Sequence, residues 1–466
     1  LVYAAQRSRR SLEDLIKNTP ADGLITGLSY VNSDLFAKEQ TKTAIMHYDY
    51  MVLAGTQGIN NHKKLDRMID VIRGLKVPLI FFCEGGGGRP GDVDAGDQNI
   101  AGLNIPSFHD FARLSGEVPL VGVGSGRLFA GNAALLGCCD VIIGTRDLNL
   151  GMGGPAMIEG GGLGVYKPEE VGPTSVQYPN GVIDILVDNE DDAVVIAKKY
   201  LSYFQGNLGS WEAPEVENLR YVIPENRLEV YDIREVIDNI ADIGSVLEIK
   251  AGFAKGMFTG FIRVKGKPLG LIANNPLFLA GAIDSDGADK ASRFIKLCEN
   301  YNIPILSLCD TPGMMVGPEI EETGLVRHCC RLFLAGANVT VPMMTIVLRK
   351  AYGLGAQAMA GGSFMAPQFV VGWPTAEIGA MGLEGAVKLG YRKELEAESD
   401  VEKKEKLFKK LVDELYEKGK AINAASLLEF DTVLDPIESR DWISMVVESP
   451  INSSEKVPKN RYIDSW

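Results

Sequence analysis

The side chains that most often carry catalysis are thinly spread in this sequence. The four histidines are His47, His62, His109 and His328. No two stand at a metal-ligating spacing, so each reads as structural or surface rather than catalytic, and no metal is expected. The seven cysteines, Cys83, Cys138, Cys139, Cys298, Cys309, Cys329 and Cys330, form no C-x-x-C pair, which argues against a zinc ribbon. They are expected to be buried thiols in a reducing compartment. There is no G-x-x-x-x-G-K-[ST] loop and no G-x-S-x-G elbow. Gly151-x-Gly153-x-x-Ala156 has the letters of a dinucleotide fingerprint without the strand–turn–helix setting of a βαβ unit.

What remains is glycine placed after apolar runs: Glu84-Gly85-Gly86-Gly87-Gly88-Arg89 and Asp310-Thr311-Pro312-Gly313, then Phe129-Ala130-Gly131-Asn132 and Tyr352-Gly353-Leu354-Gly355-Ala356. Small residues at the start of a helix leave backbone N–H groups free, and such donors stabilise an oxyanion. The plainer alternative is that these glycines only let helices pack close to strands. Two such turns at equivalent places favour a pair of oxyanion holes. Glu84 is the one side chain that suggests a general base. Its counterpart Asp310 opens a Thr-Pro-Gly turn, so a cap or turn role is favoured.

The elements that must position these turns come in two copies. An offset of 226 carries Gly55–Glu84 onto Gly281–Asp310 without a gap, placing Lys64 on Lys290, Arg67 on Arg293, Pro78 on Pro304 and Cys83 on Cys309. Leu65, Met68, Ile69, Ile72 and Leu75 have helical spacing, as do Ala291, Phe294, Ile295 and Cys298. An apolar strand is expected before each helix (Tyr50–Ala54, Leu277–Ala280) and after it (Leu79–Cys83, Ile305–Cys309), giving βαβ units with buried parallel strands. A further strand begins at Val118 and Val341, an offset of 223, which carries Ala130 onto Gly353. The expected organisation is a helical N-terminal extension over 1–40, one α/β domain over 41–215 and a second over 216–466. The join falls in the polar stretch 206–230. The charged amphipathic stretch Glu396–Lys420 is expected to be a solvated helix.

The chain has 466 residues, enough for several domains. It is 46% hydrophobic and 23% charged, which is globular rather than disordered. Its net charge of −14 fits nucleic acid poorly. No apolar run reaches the roughly 18 residues a membrane span needs. The 52 glycines exceed the usual level of about 7%.

With these motifs in place, the sequence resembles the carboxyltransferase family of biotin-dependent acyl-CoA carboxylases, from about residue 40 to 445. The resemblance rests on Gly55-Thr56-x-Gly58, Gly85–Arg89, Ala273-Asn274-x-Pro276, Asp310-Thr311-Pro312-Gly313 and Gly324-x-x-Arg327-His328. It continues through Arg349-Lys350-Ala351-Tyr352-Gly353, Trp373-Pro374-Thr375-Ala376-Glu377-Ile378, Asp435-Pro436 and Arg440-x-Trp442-Ile443. Two departures stand out. The family's Gly-Gly pair falls on Ala130-Gly131, and its Gly-Gly-Ala on Gly353-Leu354-Gly355. Gln357 occupies a position that is often acidic, which weakens an assignment to short-chain substrates.

The resemblance implies an α/β fold of two tandem crotonase-like (ClpP/crotonase) ββα-superhelix domains related by internal duplication. It implies transfer of a carboxyl group from carboxybiotin to the α-carbon of an acyl-CoA. Backbone donors at Ala130 and Gly131 would hold the enolate, and donors at Gly353, Leu354 and Gly355 the biotin ureido oxygen. Biotin itself is the base. Tyr352, Ala356, Gly313, Gly87, Gly88 and Arg89 would line the binding sites for cofactor and CoA. The expected partners are a biotin carboxyl carrier and a biotin carboxylase, with a homodimer or trimer of dimers in the cytoplasm, or the mitochondrial matrix in a eukaryote. No Met-Lys-Met motif occurs, so carrier and carboxylase are expected on another chain or, since the sequence begins without Met, elsewhere in a longer one. The rival readings are a decarboxylase, a biotin-independent hydratase or isomerase using Glu84, and a non-catalytic assembly subunit.

Overall fold

The computed structural model describes residues 2–89, 91–94, 103–449, 462–464 and 466. It divides into two compact units: Leu1–Gly206 with Ile249–Phe253 and Lys459–Trp466, and Asn207–Glu248 with Ala254–Pro458.

The first unit is built on strands β1 (Leu24–Tyr30), β2 (Lys42–Tyr48), β3 (Leu79–Gly85), β4 (Leu120–Phe129), β5 (Val141–Thr145), β6 (Asn149–Gly151) and β7 (Ile185–Val187). They run in the order β1-β2-β3-β4-β5-β7, with β6 against the end of β4. Only β1 is antiparallel to its neighbour. Its inner strands are apolar on both faces, as parallel strands covered by helices must be. The helix Ile59–Leu75 buries Leu65, Met68, Ile69 and Ile72 against this sheet. It begins at Gly58, which has no capping side chain, and Asp92 supplies the cap by accepting from the Ile59 N–H at 3.0 Å.

The second unit is built on β8 (Leu247–Glu248), β9 (Met257–Val264), β10 (Lys267–Asn274), β11 (Ile305–Thr311), β12 (Met343–Tyr352), β13 (Phe369–Gly372), β14 (Glu377–Gly379) and β15 (Thr432–Val433). Their order is β8-β9-β10-β11-β12-β13-β15, with β14 against the end of β12. The antiparallel pairs are β9 with β10 and β8 with β9; the rest are parallel. The helix Ser285–Asn300 is capped by Asp284, which accepts from the Gly287 N–H at 2.8 Å. Its core holds Leu271, Leu306, Leu308, Ile346, Leu348 and Trp373. A smaller apolar cluster, including Tyr352, Leu383, Val387 and Leu411, joins the helices Leu383–Gly390 and Val401–Gly419.

The two sheets agree in detail. The offset of 226 carries β3 onto β11 residue for residue, and 223 carries β4 onto β12. The register breaks between Cys83 and Gly85 and again between Cys309 and Thr311. The isolated bridge Gln57–Gly88 recurs as Ile283–Met314.

Two expectations fail. The first 40 residues are not a helical extension, because β1 pairs with β2 from Leu24–Tyr48 to Tyr30–Lys42. Only Leu24 of that strand is buried, so it carries no period-2 pattern. The strands before the helices are β2 and β10, not Tyr50–Ala54 and Leu277–Ala280. Those apolar segments are tight turns with left-handed backbone at Leu53 (φ 53), Ala54 (φ 55), Leu279 (φ 50) and Ala280 (φ 51). The division also falls at Gly206–Asn207, with 249–253 assigned to the first unit.

Candidate active site

In the first unit β4 ends at Phe129, and Ala130 takes a left-handed φ of 54 before the helix Ala130–Gly137. A non-glycine residue there costs about 1–2 kcal/mol, so the surroundings must hold it. Gly87 (φ 84) lies directly beneath. A Cβ on it would stand 2.6 Å from the Ala130 Cβ and 3.0 Å from the Gly131 nitrogen. The Asn132 amide binds three backbone segments together. Its Oδ1 accepts from the Gly87 N–H at 3.1 Å, and its Nδ2 donates to the carbonyls of Gly55 (3.1 Å) and Glu84 (2.7 Å). Gln57 closes the other side: its N–H donates to the Gly87 carbonyl at 2.7 Å, and its carbonyl accepts from the Arg89 N–H at 2.8 Å.

In the second unit β12 ends at Tyr352, and Gly353 takes the same φ of 54 at the start of the helix Gly353–Met359. Here Gly355 replaces the asparagine, and Gly313 (φ 121) fills the space. A Cβ on Gly355 would fall 2.7 Å from the Gly313 Cα. The Gly313 N–H donates to Thr311 Oγ1 at 3.1 Å, and Asn274 Oδ1 accepts from the Asp310 N–H at 3.2 Å. Beside the turn lies a cavity of about 760 Å³, reached by Gly353, Ala356 and Gln357 and walled by Ile378, Leu383 and Leu415.

The two carboxyls at the ends of β3 and β11 have opposite surroundings. Asp310 is fully buried and satisfied: it accepts from Tyr231 Oη (2.8 Å), Arg349 Nε (3.0 Å) and the Lys350 N–H (3.1 Å). It is a buried hub. Glu84 is half-buried, and the position matching Arg349 is Gly126, whose missing side chain makes room for the Glu84 carboxyl. Burial, with Asp147, Glu190 and Asp49 adding repulsion, pushes the Glu84 pKa up to about 7. Burial also raises Glu377 and lowers Lys350.

The structure thus gathers Gly87, Ala130 and Gly131 at one turn and Gly313, Gly353, Leu354, Gly355 and Ala356 at the other. Gly88 is an exposed member of the first loop. Two expected binding residues are taken up elsewhere. Arg89 is 5% exposed and ion-paired to Asp22 at 2.5 Å and Asp92 at 3.3 Å, so its guanidinium is a strut. Tyr352 is buried with its hydroxyl donating to Glu377, so it supports the turn from behind. The Gly151–Ala156 stretch is a short strand end followed by the six-residue helix Pro155–Gly160, not a dinucleotide turn. His328 pairs with buried Asp289 at 2.7 Å, and His109 is exposed beside Asp110. All seven thiols are free; Cys138 is half-buried and Cys330 exposed, the other five buried. No group of three potential metal ligands occurs among the described residues. Asn132 and the paired left-handed turns escaped sequence reasoning, although Leu53-Ala54-Gly55 recurs unchanged as Leu279-Ala280-Gly281.

Known proteins are similar to this chain in sequence and fold. The methylmalonyl-CoA carboxyltransferase 12S subunit of Propionibacterium freudenreichii subsp. shermanii is 31% identical, over 99% of this chain and 87% of its own length. An uncharacterized carboxylase, YngE, of Bacillus subtilis (strain 168) is 33% identical over 91% of this chain and 83% of its own. Among solved structures, a single-chain, multi-domain long-chain acyl-CoA carboxylase superposes with a TM-score of 0.90 at 55% identity. That match covers 96% of this chain, which spans 43% of that one. The transcarboxylase 12S hexamer, with methylmalonyl-CoA and methylmalonic acid bound, superposes with a TM-score of 0.81 at 29% identity, over 97% of this chain and 87% of that one. The carboxyl transferase domain family matches residues 6–462, and this chain belongs to that family.

Proposed function

We propose that this carboxyltransferase moves a carboxyl group from carboxybiotin, presented by a separate domain or subunit, to the α-carbon of an acyl-CoA. The observation that carries this reading is the pair of matched turns. Ala130 and Gly353 share the same left-handed φ at the same place in two like-ordered sheets, each backed by a glycine that brings backbone against it. We read the units as duplicated crotonase-like domains on the same ground. N–H groups at Ala130 and Gly131 hold the oxygen of the thioester as its α-proton leaves. Donors aimed at developing charge are worth about 10²–10³ in rate each.

The second turn suits biotin. Gly353, Leu354 and Gly355 present backbone donors to a ureido oxygen, and the adjoining cavity, with Ala356 in its wall, is large enough for the ring system. Biotin, when bound, supplies the activated carboxyl group and the base. The chain's residues bind, orient and stabilise charge, which accords with the sparse set of catalytic side chains. Glu84 is the candidate for a hydratase, yet its carboxyl packs over Gly126, four residues before the Ala130 turn.

The relative at 55% identity acts on long-chain acyl-CoA, which favours a long-chain substrate here. The hexamer of the 12S relative supports a homodimer or trimer of dimers, with the first unit of one copy facing the second unit of another. The free thiols suit the cytoplasm or a mitochondrial matrix. The test supplies a carboxylated carrier domain. The chain then carboxylates acyl-CoA, and avidin stops it. Turnover that survives avidin would favour the hydratase reading.

A further inference from the structure

A closed ring of buried polar side chains backs the first turn and has no counterpart at the second. Gln57 is its inner member. Its side-chain oxygen lies against Gly131, where a Cβ would stand 2.3 Å from Oε1. The amide is not free to turn: Nε2 donates to Tyr48 Oη at 3.2 Å, and Tyr48 donates to Asn61 Oδ1 at 3.2 Å. Burial pushes the Tyr48 pKa up, so the hydroxyl keeps its proton. Asn61 is fixed by Asp22, donating from Nδ2 to its carbonyl at 3.0 Å and from its N–H to Oδ2 at 2.8 Å. The other Asp22 oxygen holds Arg89, whose N–H returns to the Gln57 carbonyl. The ring thus runs from the loop after β3 to the Ala130–Gly131 turn. Gln57, Tyr48, Asn61 and Asp22 are at most 3% exposed, and burying such groups is costly unless each is paired.

The duplication supplies an internal control. The offset of 226 carries Tyr48, Gln57, Asn61 and Arg89 onto Asn274, Ile283, Gly287 and Met315. That set cannot rebuild the ring, and Asn274 is turned to the Asp310 N–H instead. Gly353 nevertheless takes the same φ as Ala130. The turn as a piece of backbone therefore does not need the ring, which belongs to what the first turn does. We propose that Gln57 is a positioning residue for the enolate: held by Tyr48 and Asn61, it sets the Gly131 N–H on the thioester oxygen before charge develops there. The proposal rests on the carboxyltransferase reading. A donor is worth most when it needs no reorganisation at the moment of reaction. Glycine has no side chain to anchor it, so its neighbours must fix its peptide plane.

The test uses the complete enzyme containing this chain, supplied with a carboxylated carrier and a long-chain acyl-CoA. Tyr48→Phe removes the hydroxyl that links Gln57 to Asn61, and Gln57→Ile installs the residue of the second unit. In both, kcat should fall about 10- to 100-fold, since a displacement of about 1 Å can cost about 10²-fold. The KM for acyl-CoA should stay within about twofold. Binding then separates positioning from general damage. One probe is a dethia-CoA ending in a carboxylate, which places negative charge where the enolate forms; the other is an S-alkyl-CoA with no oxygen there. Wild type should bind the carboxylate more tightly. Each variant should lose at least about tenfold of that preference and bind the S-alkyl-CoA unchanged. Equal loss for both probes, or loss of the fold in both variants, would make the ring a structural brace and overturn the proposal. So would wild-type kcat and preference in a folded Gln57→Ile variant. A wild type with no preference between the probes would sink the placement of the enolate at the first turn, and this proposal with it.

Discussion

Ala130 adopts the φ of its counterpart glycine, so the first turn is held by its neighbours rather than by its own preference. Gly131 is the candidate donor that follows it. Proline at 131 removes the N–H and brings a Cβ to the same crowded place, so kcat should fall by at least about 10²–10³-fold. Alanine keeps the donor but is no mild control, because its Cβ would stand 2.3 Å from Gln57 Oε1 and 3.2 Å from Phe108. Gly131→Ala should lose activity, and Gln57→Ala in the same chain should restore part of it; no rescue by Gln57→Ala would mean the contact does not govern the turn. Glu84 offers a second residue-scale prediction. Its pKa rises from 4.5 to about 7 on folding, so its contribution to stability is full below about pH 4.5 and is lost as pH rises through 7. Glu84→Gln should flatten that dependence. The variant should gain about 1 kcal/mol on the wild type between pH 5 and pH 8, a discounted figure for a half-exposed group, read from denaturant midpoints at the two pH values.

Elements position the turns through backbone contacts that only particular residues permit. Asn132 ties the loop after β3 and the turn before it to the helix Ala130–Gly137 by three hydrogen bonds. Asn132→Ala leaves buried backbone groups unpaired and should cost about 2–4 kcal/mol, with kcat falling more than KM changes. Unchanged stability would show that water replaces the amide. Much of this level was legible beforehand, since the offsets of 226 and 223 place β3 on β11 and β4 on β12. The misplaced strands are instructive. Tyr50–Ala54 is apolar enough for a strand, yet left-handed φ values at Leu53 and Ala54 turn the chain, and hydrophobicity carries no trace of φ. β1 went unseen because an edge strand with one buried residue has no alternation. Arg89 and Tyr352 belong to the right motifs. Motif membership does not tell whether a side chain faces the substrate or, as here, an aspartate and a glutamate behind the turn.

At the scale of the whole molecule, the first unit is not a continuous stretch of chain. It takes in Ile249–Phe253, which lies beyond the linker in sequence. Lys250 anchors this strap. Its N–H donates to the Asp184 carbonyl at 2.9 Å, its ammonium donates to the Gly181 carbonyl, and Nζ stands 3.2 Å from Asp184 Oδ1. That oxygen is buried and accepts no hydrogen bond, so Lys250 balances its charge from off the hydrogen-bond line. The other oxygen accepts from the Ile142 N–H at 2.6 Å and fixes β5. Lys250→Met leaves a buried carboxylate without its cation, which costs about 3–5 kcal/mol. Adding Asp184→Asn removes the stranded charge and should recover more than half of the loss, measured by denaturant unfolding. The same logic governs division of the chain. A fragment ending at residue 215 lacks the strap and should be unstable alone. A fragment starting at 216 carries it and should rescue the first on co-expression, with carboxyl transfer returning only when both are present. A stable, active 1–215 fragment would show that the strap is dispensable and that one turn suffices.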